Sequence, residues 1–128
     1  MSGQRYFWLK LPSDFFSSKR IKKLRRLAGG DTLTIIYLKL QLLAIKSEGI
    51  LKYTGVESDI FQELAIDIDE DPDNVHMCIS YLVSVGLAEL SDTSYLFLPY
   101  AVTNTGSESS SAARMRRSRA MLTDGSES

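Results

Sequence analysis

One cysteine, Cys78, and one histidine, His76, are all the chain holds of the residues that most often bind zinc or form disulfides. A single cysteine excludes an internal disulfide, and one of each excludes the common structural zinc sites. Long apolar runs are also missing. The longest, Leu33 to Ile45, is interrupted by Thr34, Lys39 and Gln41, so it is too short and too polar to span a bilayer. Met1 to Pro12 lacks the apolar stretch and small-residue cleavage site of a secretory signal. There is no glycine-rich phosphate loop with a lysine, no nucleophile–base–acid set and no metal cluster. These absences predict a reduced, soluble, cytoplasmic protein that is not an enzyme, with no cofactor, no small-molecule ligand and no membrane association.

What is present is a polarised charge. The net charge is only -1, yet the first thirty residues carry eight bases (Arg5, Lys10, Lys19, Arg20, Lys22, Lys23, Arg25, Arg26) against one acid, Asp14. From Ser47 to Thr93 eleven acids face one base, Lys52. Arg114, Arg116, Arg117 and Arg119 form a second basic cluster after a serine-rich stretch. Such asymmetry predicts a polyanion or an acidic partner at one end, and cations or a basic partner at the other.

The apolar pattern predicts a mainly α, α+β domain over residues 1–102, followed by a flexible Ser-rich, Arg-containing tail over 103–128. Arg5 to Leu11 reads as a strand ended by Pro12. Ser13 then caps a first helix to Ala28, with Ile21, Leu24 and Ala28 on one side. Lys19, Lys22, Lys23 and Arg26 lie on the other at i, i+3, i+4, i+7. Asp31 caps a second helix to about Lys46, apolar on most of its circumference and therefore the expected centre of the core. Ile50 to Tyr53 is a short strand, and Ser58 caps a third helix to about Ile66. Asp71-Pro72 starts a fourth helix that buries Val75, Ile79, Leu82 and Val83. Leu87 to Leu90 and Tyr95 to Leu98 flank a turn and read as a hairpin. The aromatics Tyr6, Phe7, Trp8, Phe15 and Phe16 are expected to pack in the core and strand. The acids from Asp67 to Asp73 read as a cap and a solvated loop, because Pro72 and the absent glycine do not fit a calcium loop.

Two helices, a Val-Gly-Leu stop and a hairpin form a winged helix-turn-helix pattern, here with an N-terminal strand, four helices and a C-terminal wing. The segments RYFWLKLPSDFF (Arg5 to Phe16), IKKLRRLAGGDTLTIIYLKLQLLAIKSEG (Ile21 to Gly49), ELAIDIDEDPDNV (Glu63 to Val75) and GSESSSAARMRRSR (Gly106 to Arg119) resemble the N-terminal domain of the replisome organisers of phages of Gram-positive bacteria. A more distant similarity is to the winged-helix regions of the bacterial primosome protein DnaD. The resemblance implies phage DNA replication initiation, with origin DNA and host helicase-loading proteins as partners. The DnaD similarity implies self-association. The resemblance further implies that the chain is an N-terminal fragment ending in a linker.

A winged helix usually places its second motif helix in the major groove. Here the exposed positions of that helix include no lysine or arginine, and the approach to it is acidic. The first-helix ridge (Lys19, Lys22, Lys23, Arg26) and the tail arginines (Arg114, Arg116, Arg117, Arg119) are therefore the expected backbone-binding surface. Asn74, Met77, Ser80 and Tyr81 are the remaining candidates for reading base edges. The ridge is equally readable as a solvated helix face, and the tail as a solubilising linker. Two other function classes stay open: a protein-interaction or self-association scaffold, and a winged-helix transcriptional repressor binding paired half-sites.

Overall fold

The structure, a computed structural model, describes residues 5–92 and 94–109. It is α+β, with five helices and two small antiparallel sheets. Strand β1 (Arg5–Leu9) leads through a 3-10 turn (Phe15–Ser17) into α1 (Lys19–Arg26) and α2 (Gly30–Ala44). A second 3-10 turn (Ile45–Ser47) precedes β2 (Ile50–Lys52), α3 (Ile60–Ile68) and α4 (Pro72–Ser84). The hairpin β3 (Glu89–Ser91) and β4 (Tyr95–Phe97) is followed by α5 (Pro99–Thr103) and β5 (Thr105–Ser109). β4 lies between β2 and β3, with Leu96 opposite both Leu51 and Leu90. β1 pairs separately with β5.

The core gathers around one side of α2. Leu33, Ile36, Tyr37, Leu40 and Ala44 meet Ile21 and Leu24 of α1, Ile60 and Leu64 of α3, and Val75, Ile79 and Leu82 of α4. Leu51, Leu96 and Leu98 close it from the sheet side. Burying each large aliphatic side chain contributes about 1.5–3 kcal/mol, so this cluster is what holds the helices in place.

Several elements differ from the sequence reading, each for a physical reason. The first helix does not start at Ser13. Ser18 is extended (ψ 134) and its hydroxyl accepts from the Ile21 N–H, so α1 begins five residues later than expected. An unbroken helix would have turned Phe15 onto the lysine face. The break instead lets Phe15 stack on Tyr37, at 6.3 Å between centroids. α2 is capped by Gly29 in the left-handed region (φ 69) rather than by Asp31, which sits in its first turn. Only a glycine fits at position 30, because a Cβ there would overlap the Arg25 carbonyl.

α2 is also less enclosed than its apolar circumference predicts, with Ile35 48 % and Leu42 50 % exposed. On α4, Cys78 is buried with Val75, Ile79 and Leu82, while Val83, expected in the core, is exposed. Tyr6, Trp8 and Phe16 stand largely in solvent, while Phe7 and Phe15 pack against the core. The elements run on past residue 102: α5 ends at Thr103, and β5 pairs from Thr105 opposite Leu9 to Ser109 opposite Arg5. Among the described residues no helix is long and apolar enough to cross a membrane.

Candidate nucleic-acid interface

Six of the eight residues of α1 (KRIKKLRR) are basic, and the fold sorts them into two kinds. Arg20 and Arg25 flank the buried stripe of Ile21 and Leu24 and are used to hold α1 in place. The Arg20 guanidinium donates to the Val85 carbonyl at 3.0 Å and lies 5.9 Å from the centre of the Tyr100 ring. Arg25 pairs with Asp31 at 2.8 Å and lies 5.9 Å from the Phe16 ring. The other four, Lys19, Lys22, Lys23 and Arg26, are exposed, and none has an ion-pair partner among the described residues. They are the four singled out by spacing. From Lys19 to Arg26 the ridge rises about 10 Å along the helix axis. Lys23, Arg25 and Arg26 fall in the last turn, where the helix dipole favours cations.

The α4 candidates do not form a comparable group. Tyr81 is only half exposed, and its hydroxyl donates to the Arg20 carbonyl at 2.6 Å. Burial raises the phenol's pKa against the opposing pull of Arg20, so the proton stays on and the bond to α1 persists at neutral pH. Asn74 is half-buried, with its N–H directed to the Asp71 carboxylate. Met77 and Ser80 are exposed; Met77 is 48 % accessible. His76 packs edge-on against Phe61 at 4.3 Å between centroids. Cys78 is sealed in the core, its thiol donating to the Leu33 carbonyl and its pKa pushed up by burial to about 12, so it is chemically inert. Arg114, Arg116, Arg117 and Arg119 lie outside the described residues.

Much of the acidic run has structural work. Glu70 pairs with Lys39 at 2.7 Å, and the same ammonium donates to the Ile68 carbonyl at the end of α3. Asp71 caps α4 by accepting from the Asp73 and Asn74 N–H groups. Glu63, counted among the acids by sequence, is only 8 % exposed. Its carboxylate accepts from the Thr54 N–H at 2.9 Å, the Thr54 hydroxyl at 3.0 Å, the Val56 N–H at 2.5 Å and the Glu57 N–H at 3.3 Å. Burial alone would raise its pKa, but these donors outweigh that and lower it. Glu63 thus ties the loop after β2 to α3, a role that sequence reasoning missed. The only local signal was an acid on the same helical arc as Ile60 and Leu64.

No curated protein and no solved structure matches the chain. The model of the N-terminal phage replisome organiser family matches residues 8–125, nearly the whole length. The chain belongs to the N-terminal phage replisome organiser family.

Proposed function

We propose that this chain is a winged-helix module that starts phage DNA replication by holding origin DNA on α1 and presenting α4 to a protein of the replication machinery. Family membership supplies the replication role. The order α2–β2–α3–α4–β3–β4, with β4 central between β2 and β3, supports the winged-helix reading. The observation that carries the DNA assignment is the ridge: four exposed cations on one face without a carboxylate partner among the described residues. Each phosphate neutralised releases condensed cations, and this term supplies essentially all non-specific affinity. The tail arginines 114, 116, 117 and 119 add a second basic cluster in the sequence.

On α4, Met77 and Val83 are exposed apolar positions, and the helix carries no lysine or arginine. That face suits a protein such as a host helicase loader better than a phosphate backbone. Titrating the intact chain into labelled duplexes, one from the encoding phage's origin and one of random sequence, tests the assignment. The expected result is salt-sensitive binding to both with preference for the origin. No binding to either at low salt overturns it.

A further inference from the structure

α2 presents an outer face that no described element covers. At 100° per residue Asp31, Ile35, Leu38 and Leu42 fall within roughly 60° of arc, and Lys46 follows in the 3-10 turn that continues α2. Ile35 and Leu42 are half exposed, and open hollows adjoin both ends of the stripe. Beyond Leu42 lies a hollow of about 580 Å³, walled by Leu43, Ile50, Leu51 and Leu64 and rimmed by Lys46, Lys52 and Asp67. At the other end Phe16 stands 51 % exposed beside Arg25, Asp31 and Ile35. A contiguous apolar face of this kind, bounded by charges, is the usual mark of a protein contact.

We infer that this face docks on the same face of a second copy, with the two α2 helices antiparallel across a two-fold axis. A two-fold contact must be self-complementary: what residue i meets on the partner, that residue must meet in return. The stripe satisfies this. Antiparallel overlap centred between Leu38 and Lys39 sets Ile35 against the partner's Leu42 and Asp31 against the partner's Lys46. Arg25 and Asp31 stand at one end, and Lys46, Lys52 and Asp67 at the other. Reversal therefore brings Arg25 to the end bearing the partner's Asp67, and Asp31 is shared between Arg25 and the partner's Lys46. A parallel overlap would place Asp31 on Asp31 and Lys46 on Lys46. Phe16, exposed at one end, faces the partner's hollow at the other. The helix faces alone are about 20 Å long, so a stable dimer also needs Phe16 seated in that hollow.

Sedimentation equilibrium of the whole chain across micromolar concentrations tests this independently of DNA. The expected result is a monomer–dimer equilibrium lost in Ile35→Asp and in Leu42→Lys, each checked for an unchanged thermal transition. Asp31→Lys and Lys46→Asp singly should weaken association by about tenfold, since every pair occurs twice across a two-fold. The double reversal Asp31→Lys/Lys46→Asp should associate more tightly than either single variant, because the pair across the axis is re-formed while the bond to Arg25 is not. A chain that stays monomeric overturns the proposal and leaves the face to a different protein. A dimer indifferent to Ile35→Asp and Leu42→Lys, or a double reversal no tighter than the single variants, overturns it as well.

Discussion

α1 and α4 are the two helices that sequence nominated for DNA, and the fold treats their polar groups in opposite ways. On α1 the residues that could bind structurally are bound: Arg20 to Val85 and Arg25 to Asp31. What remains is a ridge of four cations whose charge is directed at solvent. On α4 the best hydrogen-bonding candidate, Tyr81, is spent on the Arg20 carbonyl, and Asp71 caps the helix by accepting from the Asn74 backbone N–H. A charge is available for a ligand only when the fold has not already used it. α1 has cations left over once its structural contacts are made, and α4 has none to offer.

Leu24→Ala attacks the comparison at its base, because Leu24 is fully buried beneath the ridge. Loss of about 2–5 kcal/mol of unfolding free energy in a denaturant titration is expected. DNA affinity should be retained at temperatures where the variant stays folded.

Glu63→Gln sharpens the claim that part of the acidic half is structural. The folded-state pKa of Glu63 is lowered, so its carboxylate stabilises the fold above its ordinary value of 4.5. That stability is lost as pH falls through the folded value. The variant should melt at a lower temperature at neutral pH and show a flatter loss of stability on the acid side. Equal acid sensitivity in both proteins would remove Glu63 from that role.

Tyr81→Phe is the smallest and most discriminating change. It should cost about 0.5–1.5 kcal/mol of stability through the missing bond to Arg20, with DNA affinity unchanged. Weaker DNA binding at unchanged stability would return Tyr81 to the base readers.

Legibility followed the range of the interactions. The ridge was readable because four spacings within one short helix define it. Asp71-Pro72 was readable because a cap and its helix are adjacent in sequence. The core stripe of α4 was largely readable from periodicity, except at Val83. What escaped depends on partners far along the chain. Tyr81 meets Arg20 across 61 positions, and Lys39 meets Glu70 across 31. β5 has no apolar alternation of its own, and its backbone pairing with β1 defines it as a strand. The displaced start of α1 is likewise tertiary, because Phe15 gains Tyr37 only if the helix breaks at Ser18. The open face of α2 escaped for a related reason: apolarity all round says that a helix will be covered, not by what.

The central claim is that α1, and not α4, meets the DNA backbone. The most direct test is the salt dependence of duplex binding by the intact chain beside two variants. One carries Lys19, Lys22, Lys23 and Arg26 all changed to Ala; the other carries Met77→Ala and Ser80→Ala. The account predicts that the ridge variant binds more weakly and that its plot of log K against log salt flattens by up to about 3–4 units, at about 0.9 for each phosphate no longer neutralised. The α4 variant should keep the full affinity. A slope unchanged in the ridge variant, or affinity lost in the α4 variant, would contradict it.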